Sequence, residues 1–370
     1  MMLGLRGAWL SLLFSFPLLV VPPAKSQQKQ DVEGVAPIPS AAALVCQSSR
    51  DQERSGFGPP ATEIYVAGPE GENPVRITHH RRLYNHIAVS PNRRYIAAGR
   101  FEDGDTNHDG KINAHDRKRL VVLDLLERKE WRPVPNADDA CLGGVDWTPD
   151  GQWIIASMRF GGTVDIYKVH PDGSGLENIT RNLPRLLGVP GRLFVSDVST
   201  SFDGEWIVFT SVSRRGANAR LVRMRIDGSA ASFITDGGGF ASRNPRSAFG
   251  AGDFDPEFSP DGQYVSFQRS TRSGRGLGGF PTYDVMRVRV DGSDLKDLSP
   301  RGNRYVQGVS DWSLNNKIIF NQWAPPPAFT GPIVVNPDGT GYHQLERLRG
   351  CTWVKYIPPR EPMAERESRR

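Results

Sequence analysis

The chain of 370 residues carries 39 glycines and 29 prolines, about 18% of its length against a usual ~12% for the two together. Punctuation that dense excludes a long helical bundle and a multi-span membrane protein, because neither tolerates so many breaks. Charged residues are 24% of the chain, in mixed sign with a net of +5, which excludes a disordered polyelectrolyte.

In chain order, residues 1–26 read as a signal peptide. Arg6 lies in a short basic start, an apolar run extends from Ala8 to Val21, and Ala24 and Ser26 fit cleavage before Gln27. An uncleaved N-terminal anchor is the competing reading. The run is broken by Ser11, Ser15 and Pro17 and is shorter than the ~20 residues a spanning helix needs. No Cys lies near the cleavage region to take a lipid, so a periplasmic or secreted chain is expected. Loss of Arg6 and Lys25 lowers the net charge by two. The pairs Arg81-Arg82, Arg93-Arg94 and Arg214-Arg215 are not interleaved with aromatics, so no nucleic-acid partner is expected. Residues 27–40, rich in Gln, Pro and Ala, read as a linker, and residues 359–370 as a disordered, solvated tail.

Between them a five-residue turn followed by an apolar strand recurs: Val89-Ser-Pro-Asn-Arg93, Trp147-Thr-Pro-Asp-Gly151, Thr200-Ser-Phe-Asp-Gly204, Phe258-Ser-Pro-Asp-Gly262 and Trp312-Ser-Leu-Asn-Asn316. Pro presets φ, and Asp and Gly accept the tight reversal that joins antiparallel strands. A second pattern accompanies it: an alternating strand, a turn of Asp-Gly type and a short strand ending in Ile-Thr or similar. Examples are Glu63-Ile-Tyr-Val to Ile77-Thr78, and Asp284-Val-Met-Arg to Leu298-Ser299. Six units of four strands, at a spacing in the propeller range, predict an all-β fold: a six-bladed β-propeller over residues 41–358. The strand at Ala43-Leu-Val-Cys46 lacks an inner neighbour, and Gly350-Cys-Thr-Trp353 reads as an inner strand without a successor. One blade is therefore predicted to combine strands from both termini, which removes two sheet edges.

On these turns and strands the chain resembles the TolB-like propeller repeat family, across nearly all of residues 41–358. The resemblance implies a β-propeller that acts through protein partners. The family's namesake carries an α/β domain before its propeller, whereas only residues 27–40 precede the first strand here.

The segment Asp105-Thr-Asn107-His-Asp109-Gly110-Lys111-Ile112-Asn113-Ala-His-Asp116 resembles an EF-hand or dockerin-type calcium loop, inserted over residues 103–118 between two strands of one blade. Oxygen ligands at Asp105, Asn107, Asp109 and Asp116, the Lys111 carbonyl, and Asn113 directly or through a water would suit Ca²⁺. Asp116 stands where a bidentate Glu is usual. The alternative is a polar loop rich in Asx turns.

Cys46 and Cys351 fall on the two strands that close the ring, so they either form a disulfide or remain separate buried thiols. Aligning the turns also aligns the strands before them. His86, Asp146, Asp197, Asp255, Glu257 and Asp311 then converge near one channel mouth, together with Ala88, Gly144, Ser199 and Val309. These carboxylates either bind a cation or a basic segment of a partner, or accept turn and cap hydrogen bonds between blades.

Gly274-Arg-Gly276-Leu-Gly-Gly279 matches a phosphate-loop pattern but lacks its β-α context, and no Gly-x-Ser-x-Gly nucleophile elbow occurs. The resulting expectation is an exported, monomeric, protein-binding propeller with a structural Ca²⁺ site and no catalytic residues. The alternative is a propeller enzyme of lyase or lactonase type using a metal at the acidic mouth.

Overall fold

A computed structural model describes residues 28–48, 50, 62–80, 82–102, 106, 108, 116–213, 218–238, 251–272, 282–299, 306–323 and 329–358. They form a six-bladed β-propeller of four-stranded antiparallel blades around a central channel. The inner strands of blades 1 to 6 are Cys351–Tyr356, Tyr84–Val89, Asp139–Trp147, Leu193–Thr200, Asp253–Phe258 and Val306–Trp312. Blade 1 is made from both ends of the fold: Cys351–Tyr356 pairs with Leu44–Ser48, and Glu63–Ala67 and Val75–Arg76 follow outward. The predicted closure by both termini is therefore the observed one, in the register Leu44↔Tyr356 and Gln47↔Thr352.

Both repeated patterns have a hydrogen-bond reason. In the turn of blade 5, the Ser259 hydroxyl accepts from the Tyr264 N–H at 2.9 Å and donates to Asp261 Oδ1 at 2.6 Å, while Gly262 takes φ +65°. Ser90, Thr148, Ser201 and Ser313 accept from the backbone in the same way in blades 2, 3, 4 and 6. In the second pattern the hydroxyl after the outer strand accepts from a third-strand N–H: Thr78 from Ile64, Thr180 from Ile166, Thr235 from Leu221 and Ser299 from Val285, at 2.8–2.9 Å. A short outer strand makes few ladder bonds, and this hydroxyl supplies one more.

Alternation of apolar residues then fills the spaces between adjacent blades. Ile64, Ile96 and Leu123 are fully buried between blades 1 and 2, and Ile155, Ile207 and Phe209 between blades 3 and 4. The segment 27–40, expected to be a linker, is instead packed onto the ring from residue 30. Gln30–Asp31 pairs with Lys129 and Glu130 as a fifth strand on blade 2, and Val32, Val35 and Ile38 are buried in the seam between blades 1 and 2. Each such aliphatic burial is worth about 1.5–3 kcal/mol, which outweighs the low apolar content that suggested a tether. Among the described residues no helix is long and apolar enough to cross a membrane.

A candidate site in the central channel

Each inner strand pairs with its neighbour through a register break, which locally bends the strand. In blades 2, 4 and 5 the breaks fall at Asn85/Ile87, Ser196/Ser199 and Phe254/Glu257. The residues within them, His86, Asp197 and Asp255, adopt φ +50°, +52° and +49°, and Trp353 in blade 1 adopts +53°. All four lie three places before the end of the inner strand. In blade 3 that place is Gly144 at φ +151°, and a Cβ on its neighbour Gly143 would meet Asp197 Oδ1 at 2.0 Å. The glycines let the Asp197 carboxylate approach the blade 3 backbone, where any side chain would exclude it.

His86, Asp197, Asp255, Glu257, Trp353 and Lys355 converge on one small cavity in the channel. The His86 and Trp353 rings meet edge to face, with centroids 4.0 Å apart. Burial, with Lys118 and Lys355 as lesser contributions, holds the His86 imidazole well below its ordinary pKa, so it is neutral. Burial pushes Asp197 up to about 6, although the Ser196 hydroxyl donates to its Oδ2 at 3.1 Å. Asp255 accepts from the Gln268 amide.

One layer closer to the turns, Lys355 Nζ reaches Glu257 Oε1 at 2.6 Å, linking blade 1 to blade 5. Burial raises Glu257 to about 8 despite Lys355, with Asp311 and Asp146 adding to the rise. Burial pulls the Lys355 ammonium down, but Glu257, Asp311 and Asp146 outweigh it and hold the group charged. The shared charge reinforces both: three carboxylates share one cation, so removing that cation's proton and ionising the last, buried acid are both unfavourable.

Of the six channel residues expected from sequence, His86, Asp197, Asp255 and Glu257 line the cavity. The other two fasten adjacent blades. Asp146 Oδ2 accepts from the Thr200 N–H at 2.8 Å and the Thr200 hydroxyl at 2.6 Å, and Asp311 accepts from the Tyr356 N–H. Turn alignment missed Trp353 and Lys355 because the strand that follows them in blade 1 comes from the other end of the chain, so no turn marks their position. Counting back from Tyr356, as from the last inner-strand residue of the other blades, identifies both.

Of the calcium-type motif, Asp105, Asn107, Asp109, Lys111 and Asn113 lie outside the described residues. Asp116 is buried, and its Oδ1 accepts from the Thr106 N–H at 2.8 Å and hydroxyl at 3.1 Å. The two ends of the insertion are held together by the Glu102 N–H to Arg117 carbonyl bond at 3.0 Å and by Arg119 on Glu102 at 2.9 Å. Cys46 and Cys351 are joined as a disulfide, with Cα atoms 5.7 Å apart. The Cys141 thiol is buried, and that burial pushes it up to about 12, far from the thiolate a nucleophile or metal ligand requires.

No family model matches the chain. Among curated proteins it is similar to a "Protein TolB homolog" of Chlorobaculum tepidum, 27% identical over 119 residues, covering 32% of this chain and 24% of the relative. The match thus spans about a quarter of that relative's length. Among solved structures the fold is similar to TolB from Acinetobacter baumannii, with a TM-score of 0.56 at 15% identity over 85% of this chain and 66% of that one. It is also similar to a putative TolB from Agrobacterium tumefaciens, with a TM-score of 0.53 at 16% identity over 87% and 100% of the two chains. The architecture is a six-bladed β-propeller, as in these TolB structures.

Proposed function

We propose that this protein is an exported, monomeric binding module that receives a protein partner on one face of its propeller, with a structural Ca²⁺ held by residues 105–116. The observation that supports this reading best is the unequal division of connections between the two faces. Tight turns such as Ser259 to Gly262 join inner to second strands on one face. The strand ends at Ser48 and Glu63, Phe101 and Lys118, Phe233 and Asp253, and Arg272 and Thr282 frame long connections, and all open on the opposite face. Strand ends that open long connections on one side of a rigid ring match the arrangement by which scaffolds present recognition loops. The acidic cavity at the axis adds a field that attracts a basic segment. The likeness to TolB-type propellers supports a partner of the protein class and a compartment outside the cytoplasm.

The test is affinity capture from an envelope extract by residues 27–370, in Ca²⁺ and in chelator, followed by reconstitution of the retained protein with the purified chain. A stoichiometric complex is the expected result. Its loss in chelator would place the calcium motif within recognition, and unchanged binding would leave the ion a structural role. Retention of no protein in either condition would overturn the reading and turn attention to small substrates of an enzyme.

A further inference from the structure

A second cleft, of about 230 Å³ and open to solvent, lies on the rim of blade 3 where it meets blade 4, away from the channel. Asp165 lines it with Arg181 and Arg192, and Leu183, Leu193 and Val195 form an apolar wall. Among the described residues neither arginine makes a hydrogen bond or an ion pair. Asp165 accepts one hydrogen bond, from the Thr180 hydroxyl at 3.2 Å. The cleft thus presents a carboxylate and two guanidinium groups that are too far apart to neutralise one another directly.

Comparison between repeats shows what is missing. In blade 1 the position of Asp165 is held by Glu63, that of Thr180 by Thr78, and that of Asn178 by Arg76. Arg76 pairs across the sheet with Tyr65 as Asn178 does with Tyr167. There the chain supplies its own cation, with Arg76 Nη2 lying 2.9 Å from Glu63 Oε1. In blade 3 the corresponding Asn178 carries no charge, and its amide donates to the Tyr167 hydroxyl at 3.3 Å. The same frame is closed by an internal salt bridge in one blade and left open in the other.

We infer that this cleft binds a small zwitterion, an amino carboxylate with an aliphatic body. Its ammonium takes the place on Asp165 that Arg76 takes on Glu63. Its carboxylate meets Arg181 and Arg192, for which guanidinium forks are suited. The hydrocarbon lies against Leu183, Leu193 and Val195, and the cleft, of about 230 Å³, suits a ligand smaller than a drug-sized molecule. The inference is independent of the partner-binding role.

The test is calorimetric titration of the mature chain with L-leucine, as a free amino acid, and with leucyl-leucine, as the same chemistry at the ends of a peptide. Two one-ended probes, 3-methylbutanoate and 3-methylbutylamine, serve as controls. At least one zwitterion binds, and each one-ended analogue binds about tenfold or more weakly. Asp165→Asn, which keeps the acceptor for Thr180, and Arg192→Gln each weaken the zwitterion by a similar factor. Asn178→Arg rebuilds the blade 1 salt bridge and abolishes binding without lowering the thermal midpoint. The inference is overturned if no zwitterion binds at millimolar concentration, if 3-methylbutanoate binds as well as leucine, or if Asp165→Asn and Asn178→Arg both bind like the parent in a folded protein.

Discussion

The two layers of the channel wall come from the same strands, two residues apart, and their side chains have different fates. One place before the end of the inner strand, Asp146 and Asp311 are bound to the next blade and Glu257 is bound to Lys355 across the axis. Three places before the end, His86, Asp197, Asp255 and Trp353 sit on left-handed residues and face the cavity. An aspartate of the first layer meets the arriving inner strand of its neighbour, whose N–H and hydroxyl groups need an acceptor. An aspartate of the second layer, such as Asp197, is carried toward the axis by a register break, and burial there makes it hold its proton more tightly. The role of an acidic residue in this ring therefore follows from its place in the pleat more than from its type.

The sharpest way to break this contrast is Lys355→Met. It leaves Glu257, Asp311 and Asp146 without their shared cation, and the loss expected in chemical denaturation at neutral pH is about 3–5 kcal/mol. A loss below about 1 kcal/mol would mean that the turn layer is not bound by charge. Replacing Cys46 and Cys351 together by Ser loosens the blade that supplies both Trp353 and Lys355, with an expected cost of about 2–4 kcal/mol under oxidising conditions. The same pair compared in a reductant should show no difference.

Asp146→Ala removes both bonds to Thr200 and leaves that N–H unsatisfied, for about 1–3 kcal/mol. Asp197→Asn should do the reverse and gain about 1–2 kcal/mol at neutral pH. The Asp197 pKa rises from 3.8 to about 6 on folding, so the folded state binds the proton more tightly. The stability this confers is complete below pH 3.8 and is lost as pH rises through about 6, so parent and variant should converge in acid. Stability curves of the two proteins from pH 3 to 8 that stayed parallel would contradict a buried, proton-retaining Asp197.

Much of this architecture was legible in the chain because its causes are local. Ser259-Pro-Asp-Gly262 states its own turn, and the Thr180 hydroxyl is needed wherever a short outer strand must be held. The blade count and closure follow from repeating such units. Two of the six listed residues, Asp146 and Asp311, were structural because a one-dimensional column records spacing, and spacing does not show that a residue three places from a turn lies on a bulge. Lys355 was invisible for a different reason. Its meaning depends on Glu257, about a hundred residues earlier, and on a strand pairing that spans nearly the whole chain. The packing of Val32, Val35 and Ile38 was hidden by their sparse spacing among polar residues, which carries no regular period.

Blade 1 also sets a timetable for biogenesis. Its second strand, Leu44–Ser48, is among the first parts of the fold to be made, and its inner strand, Cys351–Tyr356, is the last. Until that final strand arrives, Leu44–Ser48 keeps an unpaired edge, and Cys46 has no partner 305 residues ahead of it. The ring therefore completes only after the whole propeller has been made, and a chain shortened by one strand at its C-terminus would present an open, adhesive seam instead of a slightly smaller propeller.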